Sequence, residues 1–79
     1  MSGLKTLIDL NTNETAVIEN CDHSGYGSTR LQEMGLIPGN FVRLIKKSPF
    51  SGPIEIKLHG FYLSLRKDLA QKIQIRILN

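Results

Sequence analysis

Apolar and polar residues alternate most cleanly between Ile54 and Leu65. Ile54, Ile56 and Leu58 are interleaved with Glu55 and Lys57, so a strand there has one apolar and one charged face. His59-Gly60 follows as a two-residue hairpin loop. Such a loop sets Leu58 opposite Phe61, Ile56 opposite Leu63 and Ile54 opposite Leu65, all on the apolar face. Lys57 beside Tyr62 and Glu55 beside Ser64 fall on the solvated face. Three other stretches read as strands: Glu14 to Asn20, with Ala16 and Ile18 on one side and Val17 on the other; the apolar run that opens at Phe41; and Ile73, Ile75 and Ile77 alternating with Gln74 and Arg76. Leu4, Leu7 and Ile8 instead recur at helical spacing, predicting one turn that lays apolar side chains across an open end of the core.

Between the first two strands the period changes from two to about 3.6. Thr29 followed by Gln32 has the spacing of a capping box, Leu31 and Met34 share a helix face, Gly35 can close the last turn, and Pro38 forbids continuation. Pro38-Gly39 then reads as a type II turn that launches the strand at Phe41. Five short strands with one short helix in 79 residues predict a mostly β fold, a small SH3-like barrel with the helix between its first and second strands. An OB-type barrel is the second choice. Residues 1–79 are expected to form a single domain, since that length barely supports one core.

The charge changes this picture little. Ten Lys and Arg against seven Asp and Glu give +3, and the longest like-charged runs are the pairs Lys46-Lys47 and Arg66-Lys67, short of the stripe that nucleic-acid binders gather. No apolar run approaches the ~20 residues of a membrane span and no export signal is visible, so a cytoplasmic location is expected. The single Cys cannot form an internal disulfide.

Candidate chemistry is sparse. Cys21-Asp22-His23 and His59 are the residues suited to a soft or borderline metal, but they lack the paired spacing of a zinc site, so neither metal nor cofactor is expected. No nucleophile with a base and an orienting group is legible, and Gly25-Tyr26-Gly27 lacks the Lys and Ser or Thr of a phosphate loop, so no enzyme is expected. Tyr26, Leu36, Ile37 and Phe50 are apolar or amphipathic residues in turns and loops, where a core this small cannot take them all. Leu36 is placed as a plug for one barrel end or as a contact, the others as contacts. Arg30, in a first helical turn where a cation opposes the dipole, and Arg66, after the hairpin, complete the candidate partner-binding set.

Arg30-Leu31-x-x-Met34-Gly35-Leu36-x-Pro38-Gly39, a loop with Pro49, then Gly60, Leu65-Arg66 and Ala70-x-x-Ile73-x-Ile75 together resemble the FeoA family. The resemblance covers the chain from Glu14 to its C-terminus. It implies a small SH3-like cytoplasmic protein without catalysis that binds the cytoplasmic region of the ferrous-iron transporter FeoB, which includes a G-protein domain, and supports iron uptake. It also implies kinship in fold with the C-terminal SH3-like domain of diphtheria-toxin-repressor regulators. The chain departs from the family where Pro-Gly often precedes the first strand, since it has Thr12-Asn13; Asn accepts the left-handed conformation such a turn needs. Two other readings compete. A nucleic-acid-binding barrel would use Tyr62 beside Lys57 for stacking and phosphate contact, and a stand-alone SH3 module would need an aromatic-lined groove that five aromatics hardly furnish. Exposed apolar loops also leave self-association open.

Overall fold

A computed structural model describes residues 5–21, 28–50 and 52–78. Its strands are β1 (Lys5–Thr6), β2 (Thr15–Cys21), β3 (Phe41–Lys47), β4 (Ile54–Leu58), β5 (Phe61–Leu65) and β6 (Ile73–Leu78). Two short helices interrupt them, α1 (Ser28–Glu33) between β2 and β3, and α2 (Lys67–Ala70) between β5 and β6. The sheet order is β1-β6-β2-β3-β4-β5, every pair antiparallel. Register shifts between Ile18 and Asn20 and between Leu44 and Lys46 bend β2 and β3, and the twisted sheet curls over one core as an SH3-like barrel.

The predicted hairpin forms in the expected register, with Leu58 opposite Phe61, Ile56 opposite Leu63 and Ile54 opposite Leu65. His59 and Gly60 both take positive φ, 51° and 86°, as a primed two-residue turn requires. Ile54, Ile56 and Leu58 are fully buried, and each such side chain contributes about 1.5–3 kcal/mol relative to exposure. Phe61 departs from expectation. It starts the edge strand at the hairpin tip, with no further strand to cover it, and stays 44% exposed.

The N-terminal segment holds more structure than its spacing predicted. Lys5 and Thr6 pair with Ile75 and Gln74 as a sixth strand before a helical turn at Leu7–Asp9. Of the three residues at helical spacing, Leu7 is buried in the core and Ile8 packs half-buried against it, while Leu4 lies outside the described residues; Leu10 is buried as well. Asn13 has a φ of 72°, so Asn does supply the left-handed residue ahead of the first long strand.

Candidate functional site

The segment from α1 to β3 forms an elbow whose shape is over-determined by hydrogen bonds. Gly35 takes a φ of 95° just past α1; its N–H donates to the Gln32 carbonyl at 3.0 Å, and the Leu36 N–H donates to the Leu31 carbonyl at 3.0 Å. That pair of bonds is a Schellman motif, and Leu31 and Leu36 are its apolar partners, both buried in the core. The expected turn follows: Gly39 has a φ of 96° and the Asn40 N–H donates to the Ile37 carbonyl at 3.2 Å. Helix α1 spans Ser28–Glu33, and the Thr29 side chain of the expected capping box lies outside what the structure describes.

Two side chains clamp the elbow from outside the helix. The Asn40 amide donates to the Gly35 carbonyl at 2.6 Å, and the Cys21 thiol donates to the Leu36 carbonyl at 2.9 Å. Gly39 N–H to Ile18 carbonyl, 2.8 Å, and Ile18 N–H to Asn40 carbonyl, 2.9 Å, tie the turn to β2. By its pattern the first long strand ends at Asn20, one residue short of Cys21. The register shift after Ile18 instead turns it inward as the last residue of β2, and burial raises its thiol pKa above the ordinary value. A buried thiol committed to a carbonyl is a packing residue. Among the described residues no cluster of three His, Cys, Asp or Glu side chains suits a metal ion.

What the elbow shows to solvent is narrow. Ile37 is 40% exposed, and Arg30 is exposed with no ion pair among the described residues. Arg30 stands third of six helical positions, where the first and last turns of this short helix meet. Leu36 leaves the contact set: at 0% exposure it plugs the barrel and cannot touch a partner. Tyr26 lies outside the described residues.

Phe50 and Arg66 sit at the other end of the barrel. Phe50 is 93% exposed in the β3–β4 connection, and the Lys67 ammonium of α2 donates to its carbonyl at 2.5 Å. Arg66 pairs with Asp68 at 3.4 Å, both exposed. The elbow, by contrast, packs by the β4–β5 turn: a Cβ on Gly35 would lie 3.3 Å from Leu58 Cδ2 and 3.7 Å from His59 Cδ2. Strand β4 therefore separates the two groups by about 13 Å.

Sequence reasoning missed Phe41, which is 59% exposed. The signal was present, because Val42 and Leu44 are apolar at the alternate positions, so Phe41 and Arg43 must face outward. Tyr62, 63% exposed, lies on the expected face with the Lys57 ammonium 5.7 Å from its ring centre.

A family model for the FeoA domain matches residues 5–77. The chain belongs to the FeoA family. It is 27% identical over 73 residues to a fusion of Fe(2+) transport protein A with the Fe(2+) transporter FeoB from Porphyromonas gingivalis, a match covering 92% of this chain and 9% of the fusion. The zinc-complexed FeoA of Stenotrophomonas maltophilia, described as a prokaryotic SH3 domain protein, superposes with a TM-score of 0.79 at 25% identity, over 91% of this chain and 89% of that one. A manganese-dependent transcriptional repressor shares the fold at a TM-score of 0.85 and 18% identity, with 99% of this chain and 38% of the repressor covered. The expected kinship in fold with a metal-dependent repressor is thus present.

Proposed function

We propose that this FeoA-family chain is a non-catalytic accessory protein of ferrous-iron uptake that docks, through its elbow, on the cytoplasmic region of a FeoB transporter. The observation that carries the reading is the fusion relative, in which a segment similar to 92% of this chain is joined to FeoB in one polypeptide. Domains joined in one chain in one organism commonly associate as separate chains in another. The elbow supports the reading because Ile37 and Arg30 are offered on a segment already fixed by the Schellman bonds and the two clamps, so little ordering entropy remains to be lost on docking. No helix among the described residues is long and apolar enough to cross a membrane, which is consistent with a cytoplasmic protein reaching the inner membrane face through its partner.

A pull-down of the FeoB cytoplasmic region, paired with ferrous-iron uptake in a deletion strain, tests this. Ile37→Glu is expected to keep the wild-type melting temperature and to lose capture. Wild-type uptake in the deletion strain, with no transporter retained, overturns the proposal.

A further inference from the structure

Strands β3 and β4 place Arg43 directly opposite Lys57 on the solvent face of the sheet. Like charges in that position repel across about 5 Å and disfavour the pairing that holds them there. Neither residue makes an ion pair with a carboxylate among the described residues. Glu55, two positions from Lys57 and opposite Ser64, does not close the distance either. Four other cations are bound to oxygen atoms by the fold, whereas the Lys57 ammonium has, among the described residues, only the Tyr62 ring, 5.7 Å from its centre. Lys47 donates to the Ile8 carbonyl, Lys67 to that of Phe50, Arg76 pairs with Glu19, and Arg66 with Asp68. Beside the Arg43–Lys57 pair runs a shallow groove of about 300 Å³, bordered by Phe41, His59 and Gly60. Exposed Phe41 on one side and Tyr62 on the other complete the composition that protein interfaces favour, an arginine among aromatics.

We infer that this groove receives an acidic side chain of a partner protein, its carboxylate seated between Arg43 and Lys57 and its neighbouring residues packed on Phe41. The inference rests on the docking reading and extends it, because the groove ends at His59, the residue that flanks Gly35 of the elbow, so the two surfaces form one contact area. A guanidinium takes a carboxylate through two parallel hydrogen bonds, and the ammonium opposite adds charge without demanding geometry. A nucleic-acid strand is the weaker fit. Phosphates recur along a chain and call for a basic stripe, whereas the groove offers one pair.

The test uses amide NMR spectra of the full chain, titrated at low salt with hexaglutamate and, separately, with hexathymidylate. Hexaglutamate is expected to shift the amides of Phe41 to Arg43 and Lys57 to Gly60 in a saturable, salt-sensitive way. Arg43→Glu is expected to weaken that binding at least about tenfold while melting no lower than wild type, since it replaces a repulsive pair with an attractive one. Shifts spread over every basic residue, tighter binding of hexathymidylate, or unchanged binding by Arg43→Glu overturns the inference. Capture of the FeoB region separates it from the docking reading. If Arg43→Glu is captured like wild type while Ile37→Glu is not, the elbow stands and the groove assignment falls. If wild type captures nothing yet hexaglutamate binds as described, the groove stands and the choice of partner falls.

Discussion

The two ends of the barrel both turn an apolar side chain toward solvent, yet they do so by opposite means. At the elbow the left-handed backbone falls on glycines, Gly35 and Gly39, and two buried or half-buried side chains hold the carbonyls in place. At the β3–β4 connection the left-handed residue is Phe50 itself, at φ 63°, and the one side-chain bond to it among the described residues is a solvent-exposed one from half-buried Lys67. Exposure alone would rank Phe50, at 93%, far ahead of Ile37, at 40%. Rigid presentation reverses that ranking, because a contact made by a pre-ordered segment retains free energy that a loosely held one spends on ordering.

The largest effect expected from breaking the elbow is at its plug. Leu36 is fully buried, so Leu36→Ala removes its transfer free energy and leaves a cavity, together about 2–5 kcal/mol, read as a shift of the urea midpoint. A loss below about 1 kcal/mol would mean that the elbow collapses freely onto the core and is less rigid than argued. The glycines come next. Ala at Gly39 meets nothing within 4 Å and pays only for its φ of 96°, about 1–2 kcal/mol, whereas Ala at Gly35 has a similar φ of 95° and also meets Leu58 Cδ2 at 3.3 Å. Gly35→Ala should therefore cost more than Gly39→Ala. Equal costs would show that Leu58 gives way and that packing between elbow and hairpin adds no rigidity.

Much of this contrast is legible in the sequence, and the reason differs by element. The hairpin register follows from loop length alone, since two turn residues at His59-Gly60 fix every pair along Ile54 to Leu65. The elbow is legible because Pro38 fixes its own φ while Gly35 and Gly39 accept the positive φ that other residues avoid. Cys21 is illegible because one extra residue between Ile18 and Asn20 inverts the alternation beyond it, and a bulge leaves no composition signal there. The two-residue strand at Lys5–Thr6 is too short to show a period. That Phe50 and Ile37 lie at opposite ends is a property of strand order, which loop composition does not encode.

Cys21 gives a smaller effect that sharpens the comparison through pH. Burial raises its folded-state pKa, so the folded form keeps the proton to higher pH than the unfolded chain does. Stability from this source is complete below the ordinary thiol value of 9.0 and is lost as pH rises through the folded pKa. Urea denaturation from neutral to alkaline pH should therefore show wild type falling faster than Cys21→Ala above that value. Parallel profiles would mean that the thiol opens to water and does not clamp Leu36.

The smallest expected change is at the opposite end, and its sign is informative. Replacing Phe50 by Gly relieves a left-handed non-glycine residue, worth about 1 kcal/mol, but also frees the unfolded chain, which costs about 0.5–1 kcal/mol. These nearly cancel, so the urea midpoint should move by no more than the equivalent of about 0.5 kcal/mol. Removing a 93% exposed ring leaves no cavity, which keeps the packing contribution near zero. Capture of the FeoB region should then stay within about threefold of wild type, because β4 holds this loop about 13 Å from the elbow and a partner seated on Ile37 and Arg43 has no need to reach it. Loss of capture in a variant this stable would place the β3–β4 loop inside the docking surface, and the partner would have to wrap both ends of the barrel.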